Sequence, residues 1–179
     1  MDRLIACLTE LEKLKTVERG LDVGERKEST AEHSWSCMLI ADILLEYIDE
    51  PLDRLKVLEY LLYHDLVEVY AGDAKFNNPD EMKHKEEKEA ASIKKILSIL
   101  PNPTRYSSII EETRESQFAK AVDCLDTCVR NLNNDKKSKT DGFTEELIRN
   151  KYLPHVSKFE LTLELFEVMM GRLKQQGKL

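Results

Sequence analysis

The chain has 179 residues, of which 34 % are charged and 41 % hydrophobic, with a net charge of −7. That length suits one domain with a full core, the composition is globular rather than disordered, and the acidic balance excludes a nucleic-acid backbone as the main partner, which requires a basic face. No apolar run reaches the eighteen residues of a membrane span, so we expect a cytoplasmic protein and a single domain over residues 1–179.

In chain order, the amphipathic N-terminus MDRLIACLTELEKLKT predicts a helix over 2–15. Ser29 and Glu32 have capping-box spacing at the start of a helix over 31–49, and Pro51 separates it from one over 52–70. Gly72 can end that third helix, and Pro101 and Pro103 stop a fourth over 79–100. Further helices are expected over 104–114, 117–132, 143–152 and 154–175, with a polar loop from Asn133 to Gly142. The fold class is all-α, a bundle of about six to eight helices. The helices over 31–49 and 52–70 are apolar nearly all round, from Trp35 to Ile48 and from Leu55 to Val69, which places them in the middle of the domain. The segment from 143, with Leu161, Leu165 and Phe166, serves either to cover the core or to form a subunit contact. Cys7, Cys37, Cys124 and Cys128 are dispersed and read as reduced, mostly buried thiols.

Within LLYHDLVEVYAGD, His64 and Asp65 are adjacent, Glu68 follows one helical turn after His64, and Asp73 lies just past Gly72. A buried carboxylate without a partner costs several kcal/mol, and the segment has no basic residue of its own. A divalent cation explains the cluster better than internal ion pairs do. Imidazole and carboxylate together suit a borderline or hard ion and leave positions open for water and substrate. His33 falls in the first turn of its helix, where Glu32 and the free N–H groups disfavour imidazolium, so a neutral ligand imidazole fits. His84 and His155 read as surface or packing residues.

The motifs TAEHSW, YHDLVEVYAGD and AKAVDCLD, in that order, resemble the HD-domain metal-dependent phosphohydrolases, and most closely their YfbR-like 5′-deoxynucleotidase branch. The likeness spans roughly residues 10 to 130 and includes LKTVER and the charged KHKEEKEAASIKKI segment. It implies His33, His64, Asp65 and Asp123 as ligands of one divalent cation (Co, Mn, Mg, Zn, Ni or Fe), and Glu68 and Asp73 as the catalytic carboxylates. It also implies substrate contacts from Arg19, which orients the phosphate, from Gly20, where the best-known members carry a bulky aromatic, and from Ala74, Lys75 and Phe76. His33, Asp65, Asp73 and Asp123 belong to the same substrate pocket. Periodicity by itself turns Asp123 away from the apolar face of its helix, so its ligand role rests on the resemblance, with Asp126 as the fallback.

The implied activity is hydrolysis of 5′-phosphate from a (deoxy)nucleoside monophosphate by a homodimer. The alternatives are a deoxynucleoside triphosphate triphosphohydrolase or other phosphoesterase of the same fold, and a non-catalytic helical interaction module.

Overall fold

The computed structural model describes residues 1–74, 78, 82–134 and 144–179. Helix α1 (Asp2–Glu12) runs into a 3₁₀ turn (Lys13–Thr16) and then a two-stranded antiparallel hairpin, β1 (Glu18–Val23) and β2 (Arg26–Ser29). Gly24, at φ 60°, takes the first central position of the hairpin's two-residue loop, as a II′ turn requires. The hairpin is an addition to the expected all-helical pattern. Its alternation is concealed because charged residues fall on both of its faces, and Glu28 is buried rather than exposed.

Among the described residues, six longer helices and two short ones follow. α2 (Thr30–Leu44) begins at the Ser29–Glu32 capping box, and α3 (Arg54–Tyr63) begins at Asp53, whose side chain accepts from the Leu55 and Lys56 N–H groups. The helix expected over 52–70 is broken: α3 ends at Tyr63, residues 64–67 form a turn, and α4 is the short segment Glu68–Ala71. Hydrogen bonds from Leu66 N to Tyr63 O and from Glu68 N to Asp65 O tighten this turn to 3₁₀ spacing. The remaining helices are α5 (Lys85–Ile99), α6 (Pro103–Ile109), α7 (Arg114–Asn133), α8 (Glu145–Val156) and α9 (Glu160–Gln175). α8 continues through Pro154, and the break comes instead at Ser157 to Phe159. A proline near the last turn removes only its bond to the carbonyl of Asn150, an exposed residue. Most of the polar loop expected over 133–142 lies outside the described residues.

α7 is the central helix, packed against α2, α3, α8 and α9. It is buried against two neighbouring groups: Phe118 and Val122 meet Cys37, Ala41, Val57 and Leu61, whereas Ala121, Leu125 and Cys128 meet Ile148, Tyr152, Phe166 and Met170. Burying a side chain of the Leu or Phe class contributes roughly 1.5–3 kcal/mol, so this double contact ties α8 and α9 to the same core. The C-terminal segment therefore covers the core. A third cluster, Cys7, Leu66, Ile96, Leu100 and Tyr106, joins α1 and α5 to the 64–67 turn. All four cysteines are buried free thiols.

α2 and α3 depart from expectation on one side. Trp35, Leu39 and Ile43 on α2 and Leu55 and Leu62 on α3 remain exposed, so these helices border the core rather than crossing its middle. No helix among the described residues is long and apolar enough to cross a membrane.

Candidate metal centre

The Ser29 cap fixes where α2 starts, and His33 lies one turn in, fully buried. His64 is the C-cap of α3. Its Nδ1–H donates to the Leu61 carbonyl of its own last turn at 2.8 Å, so the lone pair is left on Nε2. Asp65 follows in the 3₁₀ turn, whose tighter winding carries its carboxylate back beside His64, with Oδ2 3.2 Å from His64 Nε2 and 3.6 Å from His33 Nε2. Asp123 comes from α7, its Oδ1 3.0 Å from His33 Nε2. The two imidazole centroids are 5.5 Å apart. All four residues implied as ligands by resemblance therefore gather at one place. Asp123 reaches it because α7 packs against α2 and α3 as well as against α8 and α9, which is why a single apolar face misjudges it.

The remaining expected residues surround this group. Arg19 on β1 places Nη1 3.3 Å from Asp65 Oδ2, and the Gly20 N–H donates to Asp73 Oδ2 at 3.2 Å. Gly72, at φ 73°, ends α4 and turns the chain so that Asp73 faces the hairpin. Glu68 is buried at the start of α4 and accepts from the Thr30 hydroxyl at 2.7 Å. Asp73 and Ala74 line a cleft of about 330 Å³ together with Ala71, Gly72, Lys85 and Lys88. Lys75 and Phe76 lie outside the described residues. His84 is exposed and His155 partly buried on α8, and neither joins the ligand groupings among the described residues.

Four residues that the sequence reading left out, or placed only as a fallback, complete the arrangement. Asp126 Oδ2 lies 2.6 Å from His33 Nδ1, and the Ser36 hydroxyl donates to its other oxygen. Glu28, 2 % exposed, lies between Arg19 Nε at 3.5 Å and Arg130 Nε at 3.4 Å. Lys120 donates to Asp123 Oδ2 at 2.7 Å. Thr30 holds Glu68, as above.

Burial raises the Glu68 pKa first, the carboxylates of Asp65 and Asp73 add to it, and the value is pushed up to about 8. Burial would also raise Asp65, but His64 and His33 outweigh it and hold the carboxyl below the usual range. Asp123 is lowered in the same way, with Lys120 and His33 overcoming burial. Burial and Arg19 oppose a charged His33, whereas Cys37, Asp123 and Asp126 favour it, and the balance lies well above the ordinary histidine value. In the absence of a cation His33 is therefore held protonated, contrary to the neutral imidazole expected at the start of α2, because Asp123 and Asp126 flank it; a cation at Nε2 would displace that proton.

The donor set fits a divalent cation. Among the described residues, Arg19 and Lys120 are the cations that act most directly on the carboxylates of Asp65, Glu68, Asp73 and Asp123, two positive groups beside four acidic ones. His64 Nε2 is buried with no hydrogen-bond donor among the described residues, and its lone pair faces a carboxylate oxygen. Two lone pairs in contact repel unless a proton or a metal lies between them. Groupings of His33, His64 and Asp65, and of His33, Cys37 and Asp123, each have their ligand atoms within 4.8 Å.

A helical bundle with paired histidines and carboxylates between α2, the α3–α4 turn and α7 is the architecture of the HD domain, and this family matches residues 11–162. The chain belongs to the HD domain family. It is 32 % identical over 132 residues to the mouse and human proteins named 5′-deoxynucleotidase HDDC2, a match covering 70 % of this chain. The chain spans about 62 % of the length of the mouse relative. Among solved structures, one described as a predicted metal-dependent phosphohydrolase from Magnetospirillum magnetotacticum superposes with a TM-score of 0.80 at 28 % identity, covering 96 % of this chain and 93 % of that one. An HD-domain phosphohydrolase from Listeria innocua shares the fold, with a TM-score of 0.70 at 18 % identity over 98 % of this chain and 92 % of its own.

Proposed function

We propose that residues 1–179 form one HD domain that acts as a metal-dependent phosphohydrolase, removing the 5′-phosphate from (deoxy)nucleoside monophosphates. In this reading His33, His64, Asp65 and Asp123 hold one divalent cation. The observation that carries it is the pair of histidine Nε2 atoms facing Asp65 and Asp123, with each Nδ1 already engaged on another oxygen.

When bound, the cation polarises a phosphate oxygen and lowers the pKa of a water to about 7. Arg19 presents its planar guanidinium to the other phosphate oxygens, an arrangement suited to paired hydrogen bonds. Glu68, buried and held by the Thr30 hydroxyl, would take a proton from the attacking water once a bound cation offsets the burial and neighbouring carboxylates that otherwise keep it protonated. Asp73, held by the Gly20 N–H, serves the leaving ribose oxygen, and Ala74 lines the same cleft; a nucleoside contact by Lys75 and Phe76 rests on the family resemblance alone. Gly20 carries no side chain where the best-known family members have a bulky aromatic, and we assign to it a change in nucleotide preference. A (deoxy)nucleoside monophosphate is favoured as substrate by the name of the mammalian relatives.

The partner we assign is a second copy of the chain. Trp35 (63 %), Leu39 (47 %) and Ile43 (51 %) recur every four residues along one exposed face of α2. A dimer by light scattering, converted to monomer by Trp35→Glu, is the expected result, and a monomeric wild type contradicts it. Four buried free thiols suit the reducing cytoplasm.

The activity is tested by a screen of nucleoside mono-, di- and triphosphates with Mn²⁺, Co²⁺ or Mg²⁺, read by product analysis. Inorganic phosphate from monophosphates is expected. Tripolyphosphate from a triphosphate, or no release at all, overturns the proposal.

A further inference from the structure

A buried carboxylate, Asp126, contacts the ring nitrogen of His33 opposite to the one that faces Asp65 and Asp123. Asp126 Oδ2 is 2.6 Å from His33 Nδ1, and the Ser36 hydroxyl occupies Oδ1. Asp126 is 2 % exposed and His33 is fully buried, so neither has access to bulk water. Glu28, His33 and Asp126 bring their ligand atoms within 4.8 Å of one another, a spacing that would also admit a second cation. The surroundings exclude that use. Arg19 Nε and Arg130 Nε already place two guanidiniums 3.5 Å and 3.4 Å from Glu28, and both oxygens of Asp126 are engaged.

We propose that Asp126 is the positioning residue of the metal centre, accepting the Nδ1–H of His33 and thereby directing the Nε2 lone pair at the cation. A neutral imidazole has one N–H and one lone pair, and its two tautomers differ in which nitrogen can bind a metal. A charged, buried acceptor fixes the choice at Nδ1 and holds the ring plane. Ser36, one turn before Ile40 on the same helix as His33, fixes the carboxylate in turn, so the orientation is set within α2 and α7 before any cation arrives. His64 has the same arrangement with a neutral acceptor, the Leu61 carbonyl. Outer hydrogen bonds of this kind are typically worth 10–100-fold in metal affinity.

The inference rests on the metal-binding reading above, and the test separates the two. Co²⁺ is titrated into wild type, Asp126→Ala, Asp126→Asn and His33→Ala, following the visible absorption of the bound ion. Wild type is expected to bind one equivalent, Asp126→Ala to bind it 10–100-fold more weakly with an altered spectrum, and Asp126→Asn, which keeps an oxygen acceptor, to recover most of the loss. Asp126→Ala matching wild type in affinity and spectrum, while His33→Ala loses the ion, overturns the positioning role alone. Absence of Co²⁺ binding by wild type overturns both readings. Two-bond ¹H–¹⁵N correlations of the imidazoles in Zn²⁺-loaded wild type give the same answer without a substitution that endangers folding. A proton on His33 Nδ1 is expected, and a proton on Nε2 overturns the proposal.

Discussion

Replacing Glu68 with glutamine in protein stripped of metal by chelator removes one titrating group while keeping an oxygen to accept from the Thr30 hydroxyl. The Glu68 pKa is about 8 in the folded chain against an ordinary value of 4.5, so the folded state binds this proton more tightly than the unfolded state. Its contribution is therefore complete below about pH 4.5 and is lost as pH rises through about 8. At about 1.4 kcal/mol per unit, the difference corresponds to a change on the order of 5 kcal/mol across that window. Burial is the principal cause, and the neighbouring carboxylates of Asp65 and Asp73 add to it. The assay is urea denaturation of both proteins at intervals from pH 5 to 8.5. Wild type is expected to lose stability relative to Glu68→Gln by several kcal/mol as pH rises, because the variant has no charge to bury. His33 titrates in both proteins and drops out of the difference. A wild-type-minus-variant difference that stays constant over this range refutes the account of Glu68 as a desolvated, crowded carboxyl.

Other consequences follow from the same contacts. Glu28→Ala removes the buried carboxylate shared by the partly buried Arg19 and Arg130, of which Arg19 keeps Asp65, and thermal or urea unfolding should show a loss on the order of 1–3 kcal/mol. Arg19→Lys replaces a planar fork by a single ammonium; steady-state kinetics should show KM raised by roughly tenfold or more with the fold intact by circular dichroism. Ser29→Ala removes the reciprocal bonds of the capping box at the start of α2, costing about 1 kcal/mol in unfolding experiments.

The parts of the site that were legible in the sequence are those whose signals are local. His64 and Asp65 stand out as polar groups in an apolar segment, whereas His33 is only compatible with a ligand role and is promoted by that cluster. Asp123 was not legible in that way, because its position depends on α7 being packed against α2 and α3 as well as against α8 and α9. The break of the expected helix at residues 64–67 was hidden for a related reason: nothing in LLYHDLVEV disfavours helix, and the 3₁₀ turn is sustained by Leu66 packing against Cys7, Ile96 and Tyr106. Glu28 escaped notice because its arginine partners are remote in sequence, one on β1 and one near the end of α7. Asp126 was visible only as a fallback ligand, since spacing alone does not distinguish a residue that binds a metal from one that holds the ligand. The apolar sequence of α2 and α3 was read as interior, whereas the fold leaves one face of each exposed.

The central claim is that His33, His64, Asp65 and Asp123 together hold one divalent cation. Elemental analysis of protein purified without chelator, alongside His64→Ala, tests it most directly. About one equivalent of a transition metal in wild type, lost in the variant, is the predicted result, since removing a ligand greatly weakens binding. Metal retained undiminished by the folded His64→Ala protein would contradict it.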